Sequence, residues 1–142
     1  MEKLPIFLTL AAAGAWTGAI LFHSAVVAPA TFKVLDGDNA GIFLRRLFPS
    51  FFRFGLVCGG LMLAGLVANA AISDSIRAQA LALTVVMCIL QAICLGMVPA
   101  INAARDQGER GKQRFGRLHL VNVLLTVAVL GLGLVVIYLL IN

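Results

Sequence analysis

Four long stretches without a charged residue constrain this chain more than any other feature. They cover residues 4–32, 54–73, 78–104 and 118–142. Each is at least as long as the ~20 residues that an α-helix needs to cross the hydrocarbon core of a bilayer. Because lipid offers no partner to backbone amides, such stretches must form helices. The sequence therefore predicts an all-α, polytopic membrane protein, with one domain over 1–142 folded as a bundle of four transmembrane helices.

The composition excludes the usual soluble classes. Hydrophobic residues make up 61% of the chain and charged residues 12%, whereas soluble domains carry about a quarter charged residues. The net charge of +5 does not indicate nucleic acid, because nucleic-acid-binding proteins carry their basic residues on a solvated face. We therefore expect a lipid bilayer as the surroundings and no nucleic-acid partner.

The positive charges predict the orientation. Nine of the eleven Lys and Arg residues lie in segments 33–53 and 105–117. With four spans, these two segments share one side and both termini lie on the other. The positive-inside bias then places both basic loops in the cytoplasm and both termini outside it. We expect a multi-pass protein of a bacterial inner membrane.

Prolines and caps suggest the helix bounds. We place the four helices at about 5–30, 49–70, 76–99 and 115–140, with proline closing the first and the third. Segment 38–47, with Asp38 as N-cap, has an apolar face opposite two arginines and predicts a short interfacial helix. The segment with the first two predicted helices also resembles the segment with the last two, which indicates two parallel helical-hairpin repeats. Chance similarity is the alternative.

Two further patterns concern helix packing and lipid contact. GxxxG spacing occurs in predicted helix 1 and in predicted helix 2, and it favours close crossing of these helices, with homodimerisation as the other interpretation. Arginines near the cytoplasmic boundary are expected to reach the lipid headgroups. The residues concerned are Gly14, Gly18, Gly55 and Gly59 for packing, and Arg45, Arg46, Arg53 and Arg117 for lipid.

Predicted helix 4 carries a polar face. His119, Asn122 and Thr126 are spaced i, i+3 and i+7, so they lie on one side of the helix, which must face protein or water. His119 together with His23 of predicted helix 1 suggests a site for haem b or copper. The alternative is that each histidine bonds to a neighbouring helix or a headgroup. Predicted depths that differ by roughly 10 Å favour this alternative.

Predicted helix 3 offers a set of soft ligands. Met87, Cys94 and Met97 suit Cu(I), although ordinary core packing is the competing interpretation. No pair of carboxylates lies within a span, and no Ser/His/Asp set or phosphate-binding glycine loop is present. We therefore predict no catalytic residues and expect a protein that is not an enzyme.

Several motifs carry a resemblance to a known family. Leu-Phe-Pro-Ser-Phe-Phe at 47–52, Phe-Gly-Arg-Leu-His at 115–119 and Val-Ala-Pro at 27–29 resemble the transmembrane-protein-205-like family, whose bacterial members are a domain of unknown function. The chain departs from the family pattern at Leu120, Asn122 and Thr126, where the family has Gly, Ser and Asn. The resemblance implies four transmembrane helices and, through an animal relative, a link to platinum-drug resistance and secretory traffic. A weaker likeness to copper-resistance D-type and haem-dependent protoporphyrinogen oxidase proteins implies a haem or copper cofactor.

Two functional hypotheses follow. In the first, this is a non-enzymatic membrane protein whose polar face and basic loops serve helix packing, assembly, or association with a membrane-protein partner or a second copy. In the second, it is a redox or metal-handling protein that binds haem or copper through His119, with His23 or the Met/Cys face of predicted helix 3.

Overall fold

Four long helices form the protein in the computed structural model, which describes residues 4–69 and 73–142. They are α1 (Leu4–Val34), α2 (Gly37–Ala68), α3 (Asp74–Asp106) and α4 (Lys112–Ile141). A 3₁₀ turn, Gly108–Gly111, precedes α4. All four are long and apolar enough to cross a bilayer, and the described residues contain no strand. The predicted all-α, four-helix membrane bundle is confirmed.

The helices run up and down with short connections, and each packs against its neighbours in a closed ring of four. The core is built around Trp16, which is 1% exposed. The end of the bundle where α1 and α3 finish and where α2 and α4 begin is called the basic end here. It carries nine of the eleven Lys and Arg residues: Lys33, Arg45, Arg46, Arg53, Arg105, Arg110, Lys112, Arg114 and Arg117.

Helix α2 differs from the prediction at its start. The predicted interfacial helix at 38–47 and the predicted span from 49 form one continuous helix through Pro49. Contacts with α3 hold this first part in line, because Arg45 pairs with Asp106 and Arg105 Nη2 donates to Gly37 O at 3.0 Å. The N-cap is Asp36, not Asp38. The predicted end of this span at residue 70 lies outside the described residues.

Prolines do not close α1 and α3 either. Helix α1 passes Pro29 and ends at Val34, and α3 passes Pro99 and ends at Asp106. A π-helical turn, His23–Val27, ends two residues before Pro29, and Ala28 N–H donates to His23 O five residues back. Proline removes one backbone donor, which a helix tolerates where a π turn or a neighbouring helix adjusts the backbone. The predicted ends at 30 and 99 are therefore too early.

The glycines of the two predicted packing motifs fall on different surfaces. A Cβ at Gly55 would collide with Trp16, and a Cβ at Gly59 would lie 3.0 Å from the Trp16 ring, so these two glycines lie where α1 and α2 meet. A Cβ at Gly14 or Gly18 would meet nothing within 4 Å. The prediction that Gly14 and Gly18 form this contact is wrong, because α1 presents Trp16 and its buried neighbours to α2 instead.

Candidate functional site

A cavity of about 490 Å³ lies among the four helices in the half of the bundle next to the basic end. All four helices contribute side chains to its lining. On α4 the lining extends from Phe115 to Leu130, which is about 22 Å along the axis at 1.5 Å per residue. The cavity is therefore elongated along the axis of the bundle.

The π turn of α1 places His23 at this cavity. His23 is the first residue of the turn, and its ring lies 4.9 Å from the ring of Phe51 and 5.3 Å from that of Phe48, centre to centre. Both phenylalanines belong to α2 and also line the cavity. Single π turns inside α-helices occur often at functional sites.

His119 lines the same cavity from α4. Its ring stacks on Phe115 one turn earlier, with centroids 5.6 Å apart and planes 6° from parallel. The structure thus brings the two histidines of the sequence hypothesis to one cavity. Among the hydrogen bonds of the described residues, none involves a ring nitrogen of either histidine. Both imidazoles therefore have unused hydrogen-bonding capacity.

Two arginines line the cavity at its basic end. Arg45 forms an ion pair with Asp106, and this pair is about half exposed. Arg105 donates only to a backbone carbonyl, Gly37 O, and its guanidinium lies over Gly41. No Asp or Glu is among the described residues that line the cavity. The Arg105 charge is therefore not compensated by a carboxylate within the lining.

The opposite end of the cavity is apolar. Its walls there are Ile20 of α1, Phe51 and Phe52 of α2, and Leu130 of α4. Trp16, the chain's single tryptophan, lies one helical turn beyond Ile20. The cavity thus has a cationic, hydrogen-bonding end and a hydrocarbon-like end, which is the general character of small-molecule sites in proteins.

The family model for a domain of unknown function, DUF4149, matches residues 11–110. The chain belongs to the DUF4149 family. No curated protein and no solved structure matches it. The match includes His23, Arg45 and Arg105 and ends before α4 begins. The family description attaches no activity to these residues, and the resemblances to transmembrane protein 205 and to the copper and haem proteins stay predictions.

In this DUF4149 protein the predicted polar face of α4 divides in two. Asn122 donates from Nδ2 to Cys94 O at 3.1 Å, and Thr126 Oγ1 donates to Asn122 O at 2.9 Å. Asn122 therefore bonds across the contact between α3 and α4, whereas Thr126 bonds within α4 and lies 3.9 Å from Cys94 Sγ of α3. Both side chains also border the cavity. His119 is the member of the face that has no hydrogen bond among the described residues.

The predicted soft-ligand set of α3 is not assembled at the cavity. Met87 lies in the core cluster around Trp16, whereas Cys94 lies in a second cluster with Phe52. Met97 is half-buried, and none of the three lines the cavity. Within residues 4–69 and 73–142, no group of three His, Cys, Asp or Glu side chains is positioned to hold a metal ion. Core packing accounts for Met87 and Cys94.

The arginines predicted to reach lipid have different surroundings. Arg46, Arg53 and Arg117 are exposed, whereas Arg45 is half-buried, ion-paired and part of the cavity lining. Sequence reasoning missed Arg105, because it counted this residue only as one of the charges that set the topology. The i, i+3 spacing of Asn102 and Arg105 indicates a shared helix face, but only the packing of α3 shows that this face lines a cavity.

Proposed function

We propose that this DUF4149 protein is a non-enzymatic membrane protein that binds an amphipathic anion in the cavity at its basic end. One observation carries the proposal: Arg105 and His119 line a mainly apolar cavity that has no carboxylate among the described residues of its lining. A ligand with an anionic head and an apolar body matches this distribution of charge.

The two arginines contribute differently to binding. Asp106 already neutralises Arg45, so Arg45 supplies shape and hydrogen-bond donors more than net charge. Arg105 bonds to one carbonyl only and has further N–H donors free. A guanidinium forms short, charge-assisted and often bidentate bonds with a carboxylate or a phosphate. Arg105 is therefore the residue that we expect to hold the head of the ligand.

The shape of the cavity favours a chain over a ring system. A volume of about 490 Å³ spread over about 22 Å of α4 leaves room for one extended hydrocarbon chain. A hydrocarbon leaflet is about 15 Å deep, so the cavity is long enough to hold most of such a chain. Burial of this apolar surface supplies affinity, and the basic end supplies orientation.

A fluorescent long-chain fatty acid, cis-parinaric acid, tests the proposal on the detergent-purified protein. Trp16 acts as the energy donor because it is the single tryptophan and lies near the apolar end of the cavity. We expect saturable binding, with an affinity about tenfold lower in Arg105→Gln, the loss of one charge-assisted bond. Arg114→Gln is the matched control, because Arg114 is exposed and does not line the cavity. Equal affinity in the two variants, or binding that does not saturate, would contradict the proposal.

Haem b binding is a second candidate function. The observation in its favour is that His23 and His119 line one cavity and have no hydrogen bond among the described residues. The same observation ranks it second, because a histidine that ligates a metal almost always donates its other N–H to a carboxylate, carbonyl or water. The test is an absorption spectrum of the purified protein with added haem. A Soret band that His119→Ala removes would favour haem, whereas no Soret band, or a band unchanged by this substitution, would exclude haem bound through His119.

We also propose that the protein lies in the inner membrane of a bacterium, with the basic end in the cytoplasm and both termini outside it. The distribution of Lys and Arg between the two ends of the bundle supports this orientation. Reporter fusions after Asn142 test it. Alkaline phosphatase should be active there and green fluorescent protein dark, whereas the opposite pattern would invert the topology.

A further inference from the structure

The wall of the cavity is incomplete between α1 and α4. Up to Phe22, α1 packs against α4, but beyond it no Cα of residues 23–34 lies within 8 Å of a Cα of α4. The exposure of the lining follows this division. Phe32 of α1 and Val127 of α4 are 63% and 55% exposed, whereas Phe52 of α2 and Val98 of α3 are 2% and 8% exposed. The cavity therefore opens sideways, through the surface that faces lipid.

The backbone of α1 accounts for this opening. The π turn at His23–Val27 adds a residue to one turn of the helix, and Pro29 follows two residues later. π turns and prolines are the usual causes of a bend in a helix. The segment of α1 that makes no such contact with α4 begins at His23, the first residue of this turn.

The rim of the opening is mainly apolar, and the arginines lie behind it. The exposed lining residues of α1 and α4 are Leu21, Ser24, Phe32, His119, Val123 and Val127. Arg105 lies on α3, which takes no part in the rim. A water-soluble anion makes no favourable contact with a mainly apolar rim that lies within the membrane. An amphiphile already in the bilayer can instead slide its chain through the rim while its head bonds to Arg105.

We propose that the ligand enters sideways from the bilayer and is a membrane lipid with an anionic headgroup that lays one hydrocarbon chain in the cavity. This proposal rests on the proposed function and narrows it to the lipids of the surrounding leaflet. A closed cavity reached from the aqueous end would accept single-chain amphiphiles only. A cavity open to lipid also accepts a two-chain lipid, because the second chain stays in the bilayer.

A pair of lipids with the same headgroup distinguishes the two routes. Phosphatidylglycerol and its single-chain lyso form compete with cis-parinaric acid in phosphatidylcholine nanodiscs, with energy transfer from Trp16 as the readout. We expect the two competitors to differ by less than about threefold in affinity. Competition by the lyso form alone would overturn sideways entry and leave the proposed function standing. Failure of parinaric acid and both competitors to bind would overturn both.

Two alanines of α1 provide a matched pair of variants. Ala28 follows the π turn and lines the cavity within the open segment, whereas Ala25 lies in the π turn, is exposed and does not line the cavity. Ala28→Leu narrows the opening, through which a two-chain lipid must extend because its second chain stays in the bilayer. This substitution should therefore weaken the binding of phosphatidylglycerol about tenfold. The binding of the single-chain lyso form should weaken by less than about threefold. Ala25→Leu should change neither affinity. Equal losses for the two lipids in Ala28→Leu, or no loss for either, would contradict entry between α1 and α4.

Discussion

Asn122 of α4 donates a hydrogen bond from Nδ2 to the backbone carbonyl oxygen of Cys94 on α3, at 3.1 Å. The contact is reinforced from both sides, because Cys94 Sγ lies 3.8 Å from Asn122 O and 3.9 Å from Thr126 Oγ1. Asn122 and Cys94 are both buried. This is the principal polar contact between α3 and α4 among the described residues, and it fixes the register of the two helices that carry Arg105 and His119.

Asn122→Ala should lower the free energy of unfolding by about 1 kcal/mol, because interhelical hydrogen bonds in membrane proteins contribute about 0.6 kcal/mol on average and at most about 1.7. Unfolding in mixed micelles with increasing sodium dodecyl sulfate measures the change. Val121→Ala is the control, since Val121 is the exposed neighbour on the same helix. Equal stability of the two variants would show that the Asn122 bond adds nothing to the fold.

Gly55 provides the space for two buried polar side chains. A Cβ at this position would collide with Trp16 and with Gln91, and Trp16 Nε1 and Gln91 Oε1 are buried without a hydrogen-bond partner. Gly55→Ala should therefore cost about 1–3 kcal/mol of stability through overpacking and shift the Trp16 emission spectrum. Gly14→Ala should be neutral or stabilising, because a Cβ there meets nothing within 4 Å. Thermal unfolding that ranks the two variants equally would contradict the helix contact described here.

The sequence predicted the four spans and the basic end because both depend on local composition. Hydropathy decides whether a segment can lie in lipid, and charge decides which end stays outside it. The helix bounds were wrong at Pro29, Pro49 and Pro99, because proline ends a helix only where nothing else adjusts the backbone. Here a π turn precedes Pro29, and contacts with α3 hold the segment before Pro49 in line. Neither feature has a signature in the local sequence.

The candidate site was predicted in part. The polarity of His23 and His119 marked both as side chains that must face protein or water, and both line the cavity. Arg105 was not predicted as a site residue, because the positive-inside bias alone explains a charge near the end of a span. The spacing of Gly14 and Gly18 describes a stripe on α1 but does not say which neighbour that stripe faces. Trp16, Ala13 and Thr17 occupy the buried face of α1 instead.

Gly111 sets the distance between α3 and α4 at the basic end. It is buried in the turn before α4, and a Cβ there would collide with the backbone carbonyl of Ala104. Backbone cannot move aside as a side chain can, so Gly111→Ala should destabilise the protein by about 1–3 kcal/mol. Gly116→Ala is the matched control on the first turns of α4, because a Cβ there meets nothing within 4 Å. A melting temperature of Gly111→Ala equal to that of the control would show that the turn accommodates a Cβ without loss of stability.

Asp36 makes the start of α2 sensitive to pH. Its Oδ1 accepts a hydrogen bond from Asn39 N at 2.9 Å, and this bond, with a second from the Asn39 side chain, lowers the pKa of the Asp36 carboxyl below its ordinary value. A carboxyl whose pKa is lower in the folded state stabilises the fold above its unfolded pKa of about 3.9 and loses this effect as the pH falls through its folded pKa.

Acidification from about pH 5 to about pH 3 should therefore lower the melting temperature of the wild-type protein more than that of Asp36→Asn. Asparagine keeps an N-cap oxygen but does not titrate. Asp38→Asn is the control, because Asp38 lies in the first turn of α2 while Asp36 caps the helix, and it should follow the wild type. Differential scanning fluorimetry of the detergent-purified variants measures the three curves. If Asp36→Asn loses as much stability as the wild type over this range, the cap is not the group that senses the acid.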